Sequence, residues 1–81
     1  MDYFIGLDVS LASTAICVLT VHGKVAKETT AASEPEELVA VLRALSGTVV
    51  AVGLEAGPLS QWLHKHLTEA GFDTVLMETR Q

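Results

Sequence analysis

The hydrophobic positions of this chain fall into short runs, and the pattern inside each run predicts one strand of a sheet. Residues 3–8 and 48–54 are apolar with little alternation, which is typical of parallel strands that are covered on both faces. Residues 14–21 are rich in β-branched side chains, and His22-Gly23 forms a turn of the hairpin type before residues 24–30. These four runs are the first four predicted strands.

Apolar residues at helical spacing predict two helices in the second half of the chain. The first begins with Ser33 as its cap and Glu36 completing a capping box, and it runs to about Leu45. The second opens at Gly57-Pro58 and ends at Gly71, a typical C-cap residue. The inner stripe that we predict for this second helix is Leu59, Trp62, Leu63, His66, Leu67 and Ala70.

A fifth strand over residues 72–77 completes the predicted order β-β-β-α-β-α-β. Short turns make the first three strands antiparallel, whereas right-handed crossovers lay strands four and five parallel to strand one. We therefore predict an α/β fold with a mixed five-stranded sheet in the order 3-2-1-4-5 and helices packed on it. The charges of the third strand, Lys24, Lys27 and Glu28, are typical of a protected sheet edge.

Composition and charge limit the function classes that remain open. The chain has 81 residues, enough for one small domain, and a formal charge of −5, which leaves no electrostatic footprint for nucleic acid on this segment alone. Its only cysteine, Cys17, excludes an internal disulfide and is expected to be a small core residue. With no signal peptide and no apolar run of membrane-spanning length, we expect a cytoplasmic protein.

Two of the buried-type strands end in a carboxylate, Asp8 on the first and Glu55 on the fourth. In the predicted sheet order these strands are parallel neighbours, so both acids lie at the edge where open α/β sheets usually bind ligands. Mg²⁺ or Mn²⁺ prefers such hard oxygen ligands, and metal-dependent phosphoryl transfer is the chemistry that fits. In a purely structural alternative, Glu55 caps the second helix and Asp8 turns the chain after strand one.

Three motifs in this order resemble the start of a bacterial insertion-sequence transposase of the DEDD class, which has a RuvC-like catalytic domain of ribonuclease H-like fold. They are Tyr3-Phe4-Ile5-Gly6-Leu7-Asp8-Val9-Ser10, Gly53-Leu54-Glu55-Ala56-Gly57-Pro58 and Met77-Glu78-Thr79-Arg80-Gln81. The first motif alone is weak, because many ribonuclease H-like and actin-like proteins open similarly. The three together, at these separations, are fairly specific and span essentially the whole chain.

The resemblance implies that Asp8 and Glu55 are the first two of four catalytic acids and bind Mg²⁺, with Mn²⁺ as a substitute. It implies DNA as the substrate, and the family also has a further domain and a role for a structured guide RNA. The third and fourth acids follow strand five in the family, so we expect residues 1–81 to be the N-terminal portion of the catalytic domain and inactive alone. The absent helices would leave apolar surface exposed, which predicts self-association, and Arg80 is a candidate phosphate contact.

Three other functions stay open at the level of sequence. A resolvase-type nuclease would use the same two acids. The first lobe of an actin-like ATPase or sugar kinase also starts with three antiparallel strands, but it needs a glycine-rich phosphate loop, and Ser10-Leu11-Ala12-Ser13 contains no glycine. The alternative outside enzymology is a small α/β domain that acts by assembling with itself.

Overall fold

The structure is a computed structural model that describes residues 1–77, and these form a single five-stranded sheet with two helices. The elements are β1 (Asp2–Val9), β2 (Ser13–Thr20), β3 (Val25–Ala32), α1 (Pro35–Arg43), β4 (Thr48–Glu55), α2 (Ser60–Glu69) and β5 (Thr74–Met77). The strand order is β3-β2-β1-β4-β5, with β1 antiparallel to β2 and parallel to β4. The predicted class, element order and sheet order are therefore confirmed.

Both helices pack on the same face of the sheet. The buried core joins side chains of α1 and α2 to every second residue of the central strands; its members are Ile5, Leu7, Ile16, Val18, Leu38, Leu42, Val52, Leu54, Leu63 and Leu67. The smallest extent of the molecule is 20 Å, which is what one helix layer and one sheet layer about 10 Å apart require. The protein is thus a two-layer α/β structure.

The opposite face of the sheet, which we name the open face, carries no helix among the described residues. It presents Phe4, Gly6, Cys17, Leu19, Ala51, Gly53, Val75 and Met77. Phe4 is 41% exposed while its neighbour Ile5 is 3% exposed. Within residues 1–77 the first and fourth strands are therefore covered on one face only, and not on both as their apolar runs alone favoured. The other face carries exposed apolar surface, as expected for a sheet whose remaining helices are not in this chain. Cys17 is half-buried on this face, so its expected place in the core is wrong.

Ser33 does not cap the first helix as predicted. The N-cap residue of α1 is Glu34, which makes no side-chain capping hydrogen bond. Ser33 instead lies buried between the sheet and the β1–β2 turn, where its hydroxyl donates to the carbonyl oxygen of Ser10 at 2.5 Å. The Ser33 amide donates to the carbonyl of Ala12, so the hydroxyl and the amide of Ser33 both bond to the β1–β2 turn rather than to the helix.

The predicted inner stripe of the second helix was too wide. The buried residues of α2 are Ser60, Leu63 and Leu67, which share one side of the helix. Trp62 and His66 each precede a buried leucine by one position, a rotation of about 100°, and both lie exposed. Their rings meet edge to face with centroids 5.9 Å apart. None of the helices in residues 1–77 has the length and apolar character needed to cross a membrane.

Candidate functional site

Asp8 and Glu55 lie next to each other at the carboxyl end of the sheet. In the parallel β1–β4 ladder Leu7 faces Leu54, and each acid is the next residue of its strand. Both side chains are exposed to solvent. On the outer sides, Asp8 pairs with Ala15 of β2 and Glu55 with Met77 of β5. The predicted topology thus brings together the two acids that the sequence singled out.

Asp8 and Glu55 both line two different cavities. The larger one, about 640 Å³, lies over the carboxyl end of the open face and includes Gly6, Cys17 and Met77 in its lining. The smaller one, about 190 Å³, lies between the loops that follow β1 and β4. A small ligand bound by both carboxylates would therefore be reachable from either side of the strand ends.

A buried hydroxyl network fixes the loop that follows Asp8. Ser10 donates its amide to the carbonyl of Ser13 at 2.9 Å, which closes the turn. The carbonyl of Ser10 accepts the hydroxyl of Ser33, and the Ser33 oxygen lies 2.8 Å from the hydroxyl of Thr14. Because Thr14 and Ser33 are both buried, the turn that leaves Asp8 is anchored to the rigid part of the fold.

The loop that follows Glu55 is closed by its own polar groups. Ala56 donates its amide to the carbonyl of Met77 at 2.8 Å. The Ser60 hydroxyl accepts from the amide of Gly57 at 3.0 Å and lies 2.8 Å from the Gly57 carbonyl. The N-cap residue of α2 is Leu59, so Glu55 is not at the capping position that the structural alternative gave it.

Asp8 and Glu55 fit a hard divalent cation by the type of their donor atoms. Within residues 1–77 no group of three or more histidine, cysteine or acidic side chains is arranged to hold a metal ion. Mg²⁺ commonly binds through one or two carboxylates and keeps several waters, so this pair is compatible with such an ion. The histidines of α2 are engaged elsewhere: a ring nitrogen of His64 lies 2.9 Å from the Thr74 carbonyl oxygen.

Glu28 is a third acid on the open face, level with Gly6 in the strand register, and the sequence analysis assigned it only to edge protection. It pairs with Cys17 across β2 and β3 and lines the larger cavity together with Asp8 and Glu55. Strand alternation could have found it, because Gly6 pairs with Cys17 and Cys17 with Glu28, so all three share one face. Glu78 and Arg80, the remaining charged candidates, lie outside the described residues.

Neither cavity contains a cationic side chain among the described residues that line it. The charged side chains that line these cavities among residues 1–77 are therefore acidic. In comparisons with known proteins, no protein-family model matches the chain and no curated protein matches it.

Proposed function

We propose that this chain is the N-terminal part of a RuvC-like catalytic domain from a DEDD-type transposase, which cleaves and rejoins DNA phosphodiesters with Mg²⁺. The observation that carries the proposal is the placement of Asp8 and Glu55 on adjacent parallel strands at the carboxyl edge of the sheet. The β-β-β-α-β-α-β order and the three sequence motifs support the same reading.

In this proposal Asp8 and Glu55 would hold the cation, which would supply stabilisation of the negative charge that phosphodiester cleavage develops on oxygen. Asp8 is positioned by the turn that Ser33 and Thr14 anchor. Glu55 is positioned by the β4–β5 ladder, which pairs it with Met77. The two cavities that meet at the acids leave room for substrate on both sides of them.

The charge of the chain bears on how DNA would be held. With a formal charge of −5 and no basic residue described in either cavity lining, these residues supply little attraction for a phosphate backbone. We therefore propose that the DNA contacts, the remaining two acids and any contact with a guide RNA belong to other parts of the transposase, and that this chain alone is inactive. We also propose a cytoplasmic location, to which the free thiol of Cys17 is suited.

A Mn²⁺ titration followed by amide broadening in NMR tests the metal site directly. We expect broadening centred on the ends of β1 and β4 in the wild type and its loss in Asp8→Asn and in Glu55→Gln. Glu69→Gln is the matched control, because Glu69 is an exposed acid on α2. Broadening spread over surface acids, and equal in all four proteins, would show that this chain has no metal site at the pair.

A non-catalytic, self-associating α/β domain is the second candidate function, and the open face is the observation that favours it. A row of apolar side chains without a covering helix is the kind of surface that marks an interaction site.

A resolvase-type nuclease would use the same two acids and give the same Mn²⁺ result. It would be separated from a transposase by cleaving DNA without rejoining it once the complete protein is assayed.

A further inference from the structure

The smaller cavity beside the acid pair contains a hydroxyl that the fold does not use. The described lining of this cavity includes two serines, Ser10 after β1 and Ser60 at the start of α2. The Ser60 hydroxyl is engaged twice, because it accepts from the Gly57 amide and donates to the Gly57 carbonyl. The Ser10 hydroxyl is exposed and has no hydrogen-bond partner within residues 1–77. Ser10 is therefore the side-chain donor that this part of the chain leaves available to a ligand in the cavity.

The backbone of Ser10 is held by the interior of the protein although its side chain is free. Its amide donates to the carbonyl of Ser13 at 2.9 Å, and its carbonyl accepts the hydroxyl of Ser33 at 2.5 Å. Ser33 in turn accepts from Thr14, and both residues are buried. Because buried hydroxyls are costly to leave unbonded, this network strongly constrains one surface residue. A hydroxyl on a fixed backbone, with one side-chain torsion, loses little entropy when it binds a ligand.

Ser10 lies close to both acids. It is two residues beyond Asp8, and two residues of extended chain span at most about 7 Å. Glu55 follows the residue that pairs with Leu7, so it lies beside Asp8 on a strand about 4.8 Å away. The same cavity of about 190 Å³ is lined by Ser10, Asp8 and Glu55. One small ligand inside this cavity is therefore within reach of the acid pair and of the free hydroxyl.

The chemistry of the cavity lining indicates what this hydroxyl would bind. Ionised Asp8 and Glu55 only accept hydrogen bonds, whereas a serine hydroxyl donates one. A donor to a phosphate oxygen forms a charge-assisted hydrogen bond, about twice as strong as a bond between neutral groups. We propose, resting on the proposed function, that the Ser10 hydroxyl donates to a non-bridging oxygen of the phosphodiester at the acid pair. This is a contact with one phosphate, and contacts along the rest of the DNA remain with other parts of the transposase.

An NMR titration of the 81-residue chain in saturating Mg²⁺ tests this contact through amide chemical shifts. The probe is the dinucleotide thymidylyl-thymidine, which carries a single phosphodiester. We expect shifts centred on residues 8–11 and 55–60, with a dissociation constant raised at least about fivefold in Ser10→Ala. Ser10→Thr keeps the hydroxyl and should stay within about twofold of the wild type. Inorganic phosphate, as a second probe, separates a site for phosphodiesters from one for free anions.

Ser13→Ala is the matched control. Ser13 is an exposed serine at the other end of the same turn, and it does not line the smaller cavity. Its carbonyl, which accepts the Ser10 amide, survives the substitution, so the turn stays closed. We therefore expect Ser13→Ala to bind the dinucleotide as the wild type does. Neither Ser10→Ala nor Ser13→Ala removes a side-chain hydrogen bond within residues 1–77, so both should fold, and far-UV circular dichroism verifies this.

Three results would overturn the proposal for Ser10 and leave the acid pair standing. Equal dinucleotide affinities in Ser10→Ala and Ser13→Ala would make Ser10 a turn residue only. A wild type that binds inorganic phosphate alone, or neither probe, would exclude a phosphodiester contact in this chain. A loss of Mn²⁺ affinity in Ser10→Ala as large as that in Asp8→Asn would assign the hydroxyl to the cation. By contrast, Mn²⁺ broadening that survives Asp8→Asn would remove the metal site, so that the proposed function and this contact fall together.

Discussion

The hydroxyl oxygens of Thr14 and Ser33 lie 2.8 Å apart in the interior, although 19 residues separate them in the chain. Ser33 has one hydroxyl proton and donates it to the carbonyl of Ser10, so Thr14 must be the donor to Ser33. The chain of donors therefore runs from β2 through the β3–α1 junction to the turn after Asp8. Every hydroxyl in it is satisfied, and its loss would leave a buried polar atom without a partner.

Ser33→Ala should lower the free energy of unfolding by about 1–3 kcal/mol, because it leaves the Thr14 hydroxyl and the Ser10 carbonyl without this hydrogen-bond partner. Urea denaturation followed by circular dichroism measures this. Ser46→Ala, at an exposed serine in the α1–β4 loop, should stay within about 0.5 kcal/mol. Equal losses in the two variants would mean that the buried network contributes nothing of its own.

Glu28 lines the larger cavity but should not be a metal ligand, since it lies two strands away from β1 and level with Gly6 rather than with Asp8. We expect Glu28→Gln to change Mn²⁺ affinity by less than about threefold, through the loss of one nearby charge. Asp8→Asn should weaken it by more than about tenfold, because a ligand is lost. Isothermal titration calorimetry compares the two. A Glu28→Gln variant as impaired as Asp8→Asn would make Glu28 a third ligand.

Gly6 in β1 and Gly47 in the α1–β4 loop should respond oppositely to substitution by alanine. Gly6→Ala should stabilise the folded monomer by about 0.5–1 kcal/mol, because a Cβ there meets open space and strand glycines cost conformational entropy. At Gly47 a Cβ would clash with the Met1 carbonyl oxygen, so Gly47→Ala should destabilise by more than about 1 kcal/mol. Thermal unfolding at low protein concentration separates these effects from self-association. Destabilisation by both substitutions would contradict the open space that a Cβ on Gly6 meets.

Gly71 ends α2 in a left-handed conformation with φ of 101°. Its amide donates to the carbonyl of Thr68, and Phe72 donates to the carbonyl of Leu67, so the helix end is closed around this residue. Gly71→Ala should cost about 1–2 kcal/mol of stability, because a side chain at positive φ is strained. Gly57→Ala, where φ is not positive and a Cβ meets open space, is the control and should cost less. The midpoints of urea denaturation of the two variants measure this difference in stability.

The sheet order could be predicted because connection length decides strand direction. The short links between β1, β2 and β3 force antiparallel pairing, and the helical crossovers force β4 and β5 to run parallel with β1. The meeting of Asp8 and Glu55 follows from that topology alone. The sheet order and the adjacency of the two acids do not depend on the exact first or last residue of a strand, so errors of one or two residues in the predicted boundaries left both predictions unchanged.

What the sequence could not supply was the environment of individual side chains. An apolar run measures hydrophobicity but not what covers it, so β1 and β4 looked buried on both faces although Phe4 is half-exposed. Trp62 was misplaced because its size suggested a core position, whereas Leu63 and Leu67 set the rotation of α2. Ser33 was misread because its nearest helix was assumed to be its partner, and the actual partners lie 19 and 23 residues away.

The acid pair also has a consequence for how binding and folding are linked. Asp8 and Glu55 are 47 residues apart in the chain and become neighbours only when the β1–β4 ladder has closed around the first helix. Contacts of such long sequence separation form late and cooperatively, since the loop must lose its entropy first. An ion held by both side chains would bind the native state alone and raise its melting temperature. Occupancy of the pair would therefore report closure of the β1–β4 ladder, and forms in which this ladder is open would not bind the ion through both acids.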